Sequence, residues 1–170
     1  EGLALCTNTM HKVAAAIENA VAIPLLHIAD ATAAAIQQGG LRTVGLLGTR
    51  FTMEQDFYRG RLMERHGLTV LIPDPAERAI VHRVIYEELC QGDIRAESQT
   101  HYRQIMQRLV MAGAEGIILG CTEIGLLVGP RDAPVSLFDT TYLHARAVAD
   151  WALADCGITV PNWEGVITSE

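Results

Sequence analysis

The chain is short of positive charge and of uninterrupted apolar stretches, and each shortage removes a class of function. Thirteen Lys and Arg stand against 20 Asp and Glu in 170 residues, a formal net charge of −7. A nucleic-acid surface needs clustered Lys and Arg to neutralise phosphates, so no nucleic-acid partner is expected. The longest apolar candidate, Ala20 to Ile36, is interrupted by Pro24, His27 and Asp30, too broken to span a membrane. No secretory leader pattern is visible either, and a soluble, cytoplasmic protein with no membrane partner is expected. Cys6, Cys90, Cys121 and Cys156 form neither a CxxC pair nor a dense framework, which predicts reduced thiols. The six histidines are scattered without metal-ligand spacing, so no metal site is expected. Gly45 to Thr49 is not followed by the Lys-Ser/Thr of a phosphate loop and lacks the full dinucleotide fingerprint, which argues against a nucleotide.

What is present begins with Glu115-Gly116-Ile117-Ile118-Leu119-Gly120-Cys121-Thr122-Glu123, an apolar run that stops at a cysteine and polar residues. Glu1-Gly2-Leu3-Ala4-Leu5-Cys6-Thr7-Asn8-Thr9 repeats the Glu-Gly, the apolar run and the polar finish at a constant offset of 114, which sets Thr7, not Cys6, opposite Cys121. Runs this short read as buried parallel strands, because helices on both faces remove the need for alternation. Their polar residues then lie at the carboxyl edge of a sheet, where open α/β proteins bind ligands. The chain starts without Met and directly in such a strand. If the repeat is real, the stretch from Arg42 to Glu115 shows what should precede Glu1, and on the order of 70 residues are expected to be missing ahead of it.

Periodicity and turn signals predict the remaining elements. Met10 to Ala22 reads as a helix, Leu25 to Ala29 as a strand, and an Ala-rich helix then runs to Gly39-Gly40, with Asp30 either its N-cap or a site residue. Arg42 to Thr49 is a strand, Thr52 to Gln55 fits a capping box for a helix stopping at Gly67, and Leu68 to Ile72 is a strand. Asp74-Pro75-Ala76-Glu77 opens a helix to about Cys90; another runs from Ile94 to Ala112. Ile124 to Val128 is a helical turn, Val135 to Phe138 a last strand, and His144 to Asp155 a helix stopped by Gly157, with no clear pattern after it. The expected fold class is α/β, with doubly wound parallel sheets in two pseudo-symmetric domains. Residues 1–40 form an incomplete first domain, to which a helix over 142–156 can return; 41–141 form the second, and 157–170 a tail.

The strand termini collect Thr7, Asn8, Thr9, Thr49, Cys121, Thr122, Glu123, Asp139 and Thr140, rich in hydroxyls and amides and without Lys or Arg. Such a ring suits a small carboxylate held by backbone N–H groups at helix N-termini. Cys121 at a helix N-terminus is expected to have a depressed pKa, with Glu123 close enough to poise the thiol. A thiol facing a second acid/base across a pseudo-twofold axis can take a proton from one face of a carbon and return one to the other.

Thr7-Asn8-Thr9-Met10-His11, Gly45-Leu46-Leu47-Gly48-Thr49 and Gly120-Cys121-Thr122-Glu123-Ile124 resemble the motifs of the aspartate/glutamate racemase family, from Glu1 to about Leu153. The resemblance implies two similar α/β domains with the active site between them, no cofactor, and an amino-acid racemase that interconverts L- and D-aspartate or glutamate. The family's usual first catalytic cysteine falls on Thr7 and its second on Cys121. Asn8, Thr9, Thr49 and Thr122 would then hold the substrate's carboxylate and amino group, with Glu123 adjoining the thiol. The expected partner is a small amino acid or dicarboxylate, and a homodimer is an open possibility. A threonine is a poor base, so Cys121 should do most of the proton abstraction and one enantiomer should react faster. The family's opening strand and Gly-rich turn have no match; Arg78 and Arg50 are the suggestions for a carboxylate clamp. Two alternatives stand beside this reading: a maleate isomerase or hydantoin racemase of the same superfamily, and a protein that binds a small carboxylate without turnover.

Overall fold

A computed structural model describes residues 1–154 together with 166–167. Two parallel strands, β1 (Leu3–Ala4) and β2 (Leu25–Leu26), form a small sheet. Between them run a 3-10 segment, Thr9–Val13, and the short helix α1 (Ala14–Ala20). The helix expected from Met10 therefore starts as a tighter 3-10 turn. β2 also ends early: His27 leaves the strand and its Nδ1 accepts the Ala29 N–H, capping α2 (Ile28–Gln38). Asp30 is not the cap. It accepts two hydrogen bonds from Arg61, at 2.7 and 2.6 Å, and lies 2.8 Å from His66 Nε2.

The main sheet holds β3 (Thr43–Gly48), β4 (Thr69–Leu71), β5 (Gly116–Gly120), β6 (Ser136–Asp139) and β7 (Val166–Ile167) in the order β4-β3-β5-β6-β7. All pairings are parallel except β6–β7. β7 lies in the stretch where the sequence shows no pattern. The predicted helix end at Asp155 and stop at Gly157 fall outside the described residues.

From β3 the chain goes to β4 through α3 (Arg50–Glu54) and α4 (Asp56–His66). It then returns past β3 to β5 through α5 (Pro75–Glu87) and α6 (Ala96–Met111). Right-handed crossovers in opposite directions put these helices on opposite faces. The single helix expected from Thr52 is broken at Gln55, whose ψ of 152° is extended, and its cap is Thr49 rather than Thr52. Gly67, at φ 66°, ends α4 in the left-handed region that suits glycine. The predicted helix start at Asp74 holds, and Asp74 and Glu77 close it as a capping box at the start of α5. Two short segments, α7 (Ile124–Leu127) and the 3-10 turn Pro130–Asp132, link β5 to β6. Helix α8 (Thr140–Leu153) follows, capped by Asp139, which accepts the N–H groups of Thr141 and Tyr142.

Every residue of β5, and all of β3 except Thr43, is buried, as central parallel strands must be when helices cover both faces. Tyr58 and Tyr102 are fully buried and anchor the two helical layers: Tyr58 donates to Thr32 of α2, Tyr102 to the Val81 carbonyl of α5. α8 packs on α2, and its His144 Nε2 meets the Leu26 carbonyl at 2.7 Å, joining the small sheet to the body.

Three buried histidines, His11, His27 and His144, cluster beneath the small sheet, with the His11 and His27 rings 4.2 Å apart. Burial, then the charges of His11 and Arg61, lower His27 from 6.5 to about 3. The unfolded chain takes up this proton near 6.5 and the folded one only near 3, so the stabilisation is complete above 6.5 and is lost as pH falls through that window. Asp30 is pushed up by burial, but its hydrogen bonds with Arg61 and His66 prevail and hold it at about 2 against 3.8, which removes stability in the same direction at lower pH. Urea-unfolding free energies are predicted to decline as pH falls from 6.5 toward 4. His27→Asn, whose amide oxygen can take over the cap, is expected to flatten that slope; an unchanged slope would locate the proton uptake elsewhere.

Candidate active site

The direction of chain travel reverses between β3 and β5, and the carboxyl ends of strands at such a switch point border a crevice. Gly48 and Gly120 pair there, with Thr49 and Cys121 next in sequence. Side chains are excluded at this pair: a Cβ on Gly48 would come 2.9 Å from the Gly120 carbonyl oxygen, and one on Gly120 2.8 Å from that of Leu47. The two strands thus end flush against each other, and the residues after them open onto the crevice.

The third wall comes from the small sheet. After β1 the chain turns tightly at Thr7, whose N–H donates to the Leu5 carbonyl. His11 fastens this turn. Its Nε2 accepts the Ile28 N–H, so its proton sits on Nδ1 and is donated to the Thr7 carbonyl at 2.7 Å. Burial lowers its pKa, in keeping with a neutral ring. Asn8 is buried and donates to Thr140 Oγ1 at 2.9 Å. The Thr140 proton goes to the Leu119 carbonyl at 2.8 Å, so Asn8 must be the donor and its Oδ1 is left buried without a partner. Thr9, Thr49 and Thr52 share a hydroxyl cluster with spacings of 3.1, 3.1 and 3.5 Å.

Thr7, Asn8, Thr9, Thr49, Cys121, Thr122 and Glu123 all line one cavity of about 310 Å³. Cys6 is exposed and takes no part in its walls. Asp139 and Thr140 are not wall residues either; one caps α8 and the other is fully buried behind Asn8. Arg78 is held by Glu54 and the Pro73 carbonyl, and neither Arg78 nor Arg50 lines the cavity. Met10, Ile85, Tyr86, Cys90 and Gly120 complete the lining. Three of these come from α5 and the turn after it, where an amphipathic helix gives no sign of which residues meet a ligand. A larger hollow, about 420 Å³, lies at the opposite edge of the sheet beside Gln37, Arg42 and His66 and shares no residue with this site.

Cys121 Sγ donates to Glu123 Oε2 at 2.9 Å. Burial, then the hydrogen bond and charge of Glu123, push the thiol up to about 12. This corrects the expected depression: α7 is only four residues long, and so short a helix cannot offset burial beside a carboxylate. Glu123 itself is raised by burial but lowered further by its hydrogen bonds with Cys121 and Thr122, and rests as a carboxylate. The resting pair is a neutral thiol and an ionised acid able to receive its proton. Among the described residues no group of three His, Cys, Asp or Glu is disposed to hold a metal ion, and no helix is long and apolar enough to cross a membrane.

The site is thus a thiol–carboxylate pair at the switch point of a doubly wound α/β layer, faced by a hydroxyl-rich turn from a second sheet. Residues 1–148 match the Asp/Glu/Hydantoin racemase family, and the chain belongs to it. It is similar to a Yersinia pestis structure assigned to the Asp/Glu racemases, with 58% identity and a TM-score of 0.87 over 90% of this chain and 66% of that one. An aspartate racemase homologue from Pyrococcus horikoshii OT3 shares 38% identity with a TM-score of 0.78, over 88% and 65% of the two chains. The broad specificity amino-acid racemase RacX of Bacillus subtilis is 25% identical over 154 residues, 89% of this chain and 65% of its own. The chain thus spans about two thirds of the length of each of these three relatives.

Removing the Glu123 charge should release the thiol. Glu123→Gln is predicted to shift the pH profile of Cys121 alkylation by iodoacetamide, followed by peptide mass spectrometry, to lower pH. A profile unmoved by the substitution would mean that burial alone holds the thiol neutral.

Proposed function

We propose that this chain carries the acid/base pair of a cofactor-independent amino-acid racemase, with Cys121 and Thr7 on opposite faces of the substrate's α-carbon. The observation that carries the reading is the convergence of turns from two separate sheets on one cavity, one bearing a thiol and the other a hydroxyl. Aspartate and glutamate are the substrates that the resemblance expects.

The chemistry follows from the groups at hand. Asn8, whose buried Oδ1 lacks a partner, is the acceptor for the α-ammonium once its side chain turns to the ligand, while the Thr9, Thr49 and Thr122 hydroxyls offer donors to the α-carboxylate. The Sγ proton passes along the existing hydrogen bond to Glu123 in the same step in which the sulfur takes the α-proton, so that no free thiolate has to form beside the carboxylate. The Thr7 hydroxyl delivers a proton to the opposite face and recovers one from water. Thr7 is a weak base, so the enantiomer whose α-proton faces Cys121 reacts faster.

The intact protein in D₂O, without pyridoxal phosphate, is expected to exchange the α-proton of a substrate amino acid, read by loss of its proton NMR signal. Cys121→Ala should lower exchange by roughly 10²-fold or more. Thr7→Val should abolish inversion while one enantiomer still exchanges at the thiol face. Exchange that survives Cys121→Ala would sink the assignment.

A further inference from the structure

The flank contributed by α5 and the turn after it is unlike the rest of the cavity. Ile85, Tyr86 and Cys90, joined by Met10 from the Thr7 loop, present aliphatic, aromatic and sulfur surface, whereas the other walls are hydroxyls, an amide and the Cys121–Glu123 pair. Tyr86 is 46% exposed and Met10 48%, so both keep apolar surface that a ligand in the cavity can cover. We propose that this flank is the side-chain subsite, and that it selects amino acids with a large uncharged side chain, with Tyr86 as the specificity-determining residue.

Three observations support the assignment. First, the flank is built rather than incidental. Tyr86 packs edge-on against His82, ring centroids 4.8 Å apart, and His82 Nδ1 accepts the Arg50 N–H beside Thr49. Glu88, 2% exposed, accepts hydrogen bonds from Ser98 and Arg83 and pins the turn that carries Cys90. Second, a second carboxylate is disfavoured. The only formally charged side chain in the described lining is Glu123, and its charge helps to raise the Cys90 thiol, so its field reaches this flank. Third, a thioether, branched or aromatic side chain would cover Tyr86 and Met10 and remove their apolar surface from water.

This rests on the racemase reading and departs from the dicarboxylic substrates expected from the resemblance. The test measures binding and exchange separately on the intact protein, with methionine, leucine, alanine, aspartate and glutamate as ligands. Methionine and leucine should bind by calorimetry and exchange their α-proton with kcat/KM about tenfold or more above aspartate and glutamate. Tyr86→Ala should raise KM for methionine about tenfold and raise KM for alanine much less. Aspartate or glutamate preferred over methionine, or a Tyr86→Ala effect equal for methionine and alanine, overturns the subsite. Methionine that binds through Tyr86 without exchanging upholds the subsite and removes the racemase reading instead.

Discussion

The hydroxyl of Thr140 is the joint on which the geometry depends. Its proton goes to the Leu119 carbonyl in β5, and its lone pair receives the Asn8 amide from the small sheet. One buried oxygen therefore ties the carboxyl end of β5, the first turn of α8 and the Thr7 loop together, with His144 repeating the connection at Leu26. Buried polar groups that are all satisfied specify a single arrangement, because any other leaves a donor or acceptor stranded away from water. The exception here, Asn8 Oδ1, faces that penalty until a donor arrives. A loop and a strand from different sheets are thereby held at one cavity before any ligand is present.

Much of the layered architecture is legible in the sequence, because the forces that set it are local. Short apolar runs ending in polar residues, the Asp74–Glu77 box and the glycine after His66 each identify an element by backbone chemistry alone. The Glu-Gly repeat is legible for a more specific reason: Gly2 lies beneath Trp151 and Gly116 beneath Phe138, where a Cβ would come within 2.8 and 2.7 Å of the ring. What the sequence hides depends on tertiary context. Nothing local distinguishes a helix running through Gln55 from two helices meeting there, nor marks Val166–Ile167 as a strand before β6 offers an edge.

The same division runs through the cavity. Residues at strand ends can be grouped in advance, since parallel strands place all their termini along one edge. Their electrostatics cannot: the adjacency of Cys121 and Glu123 is visible in sequence, but whether the carboxylate lowers or raises the thiol depends on burial and on the length of the following helix. Helix residues such as Tyr86 are harder still, because on an amphipathic helix a wall residue and an ordinary surface residue look alike.

A sulfur kept protonated at rest alters how the pocket would meet foreign chemistry. Metabolic aldehydes, peroxides and broad alkylating agents react through the thiolate, which burial and Glu123 disfavour in the idle pocket. An inhibitor would therefore gain by carrying its own positive charge: by engaging Glu123 it would perturb the resting pair and place its warhead beside the sulfur at the same moment.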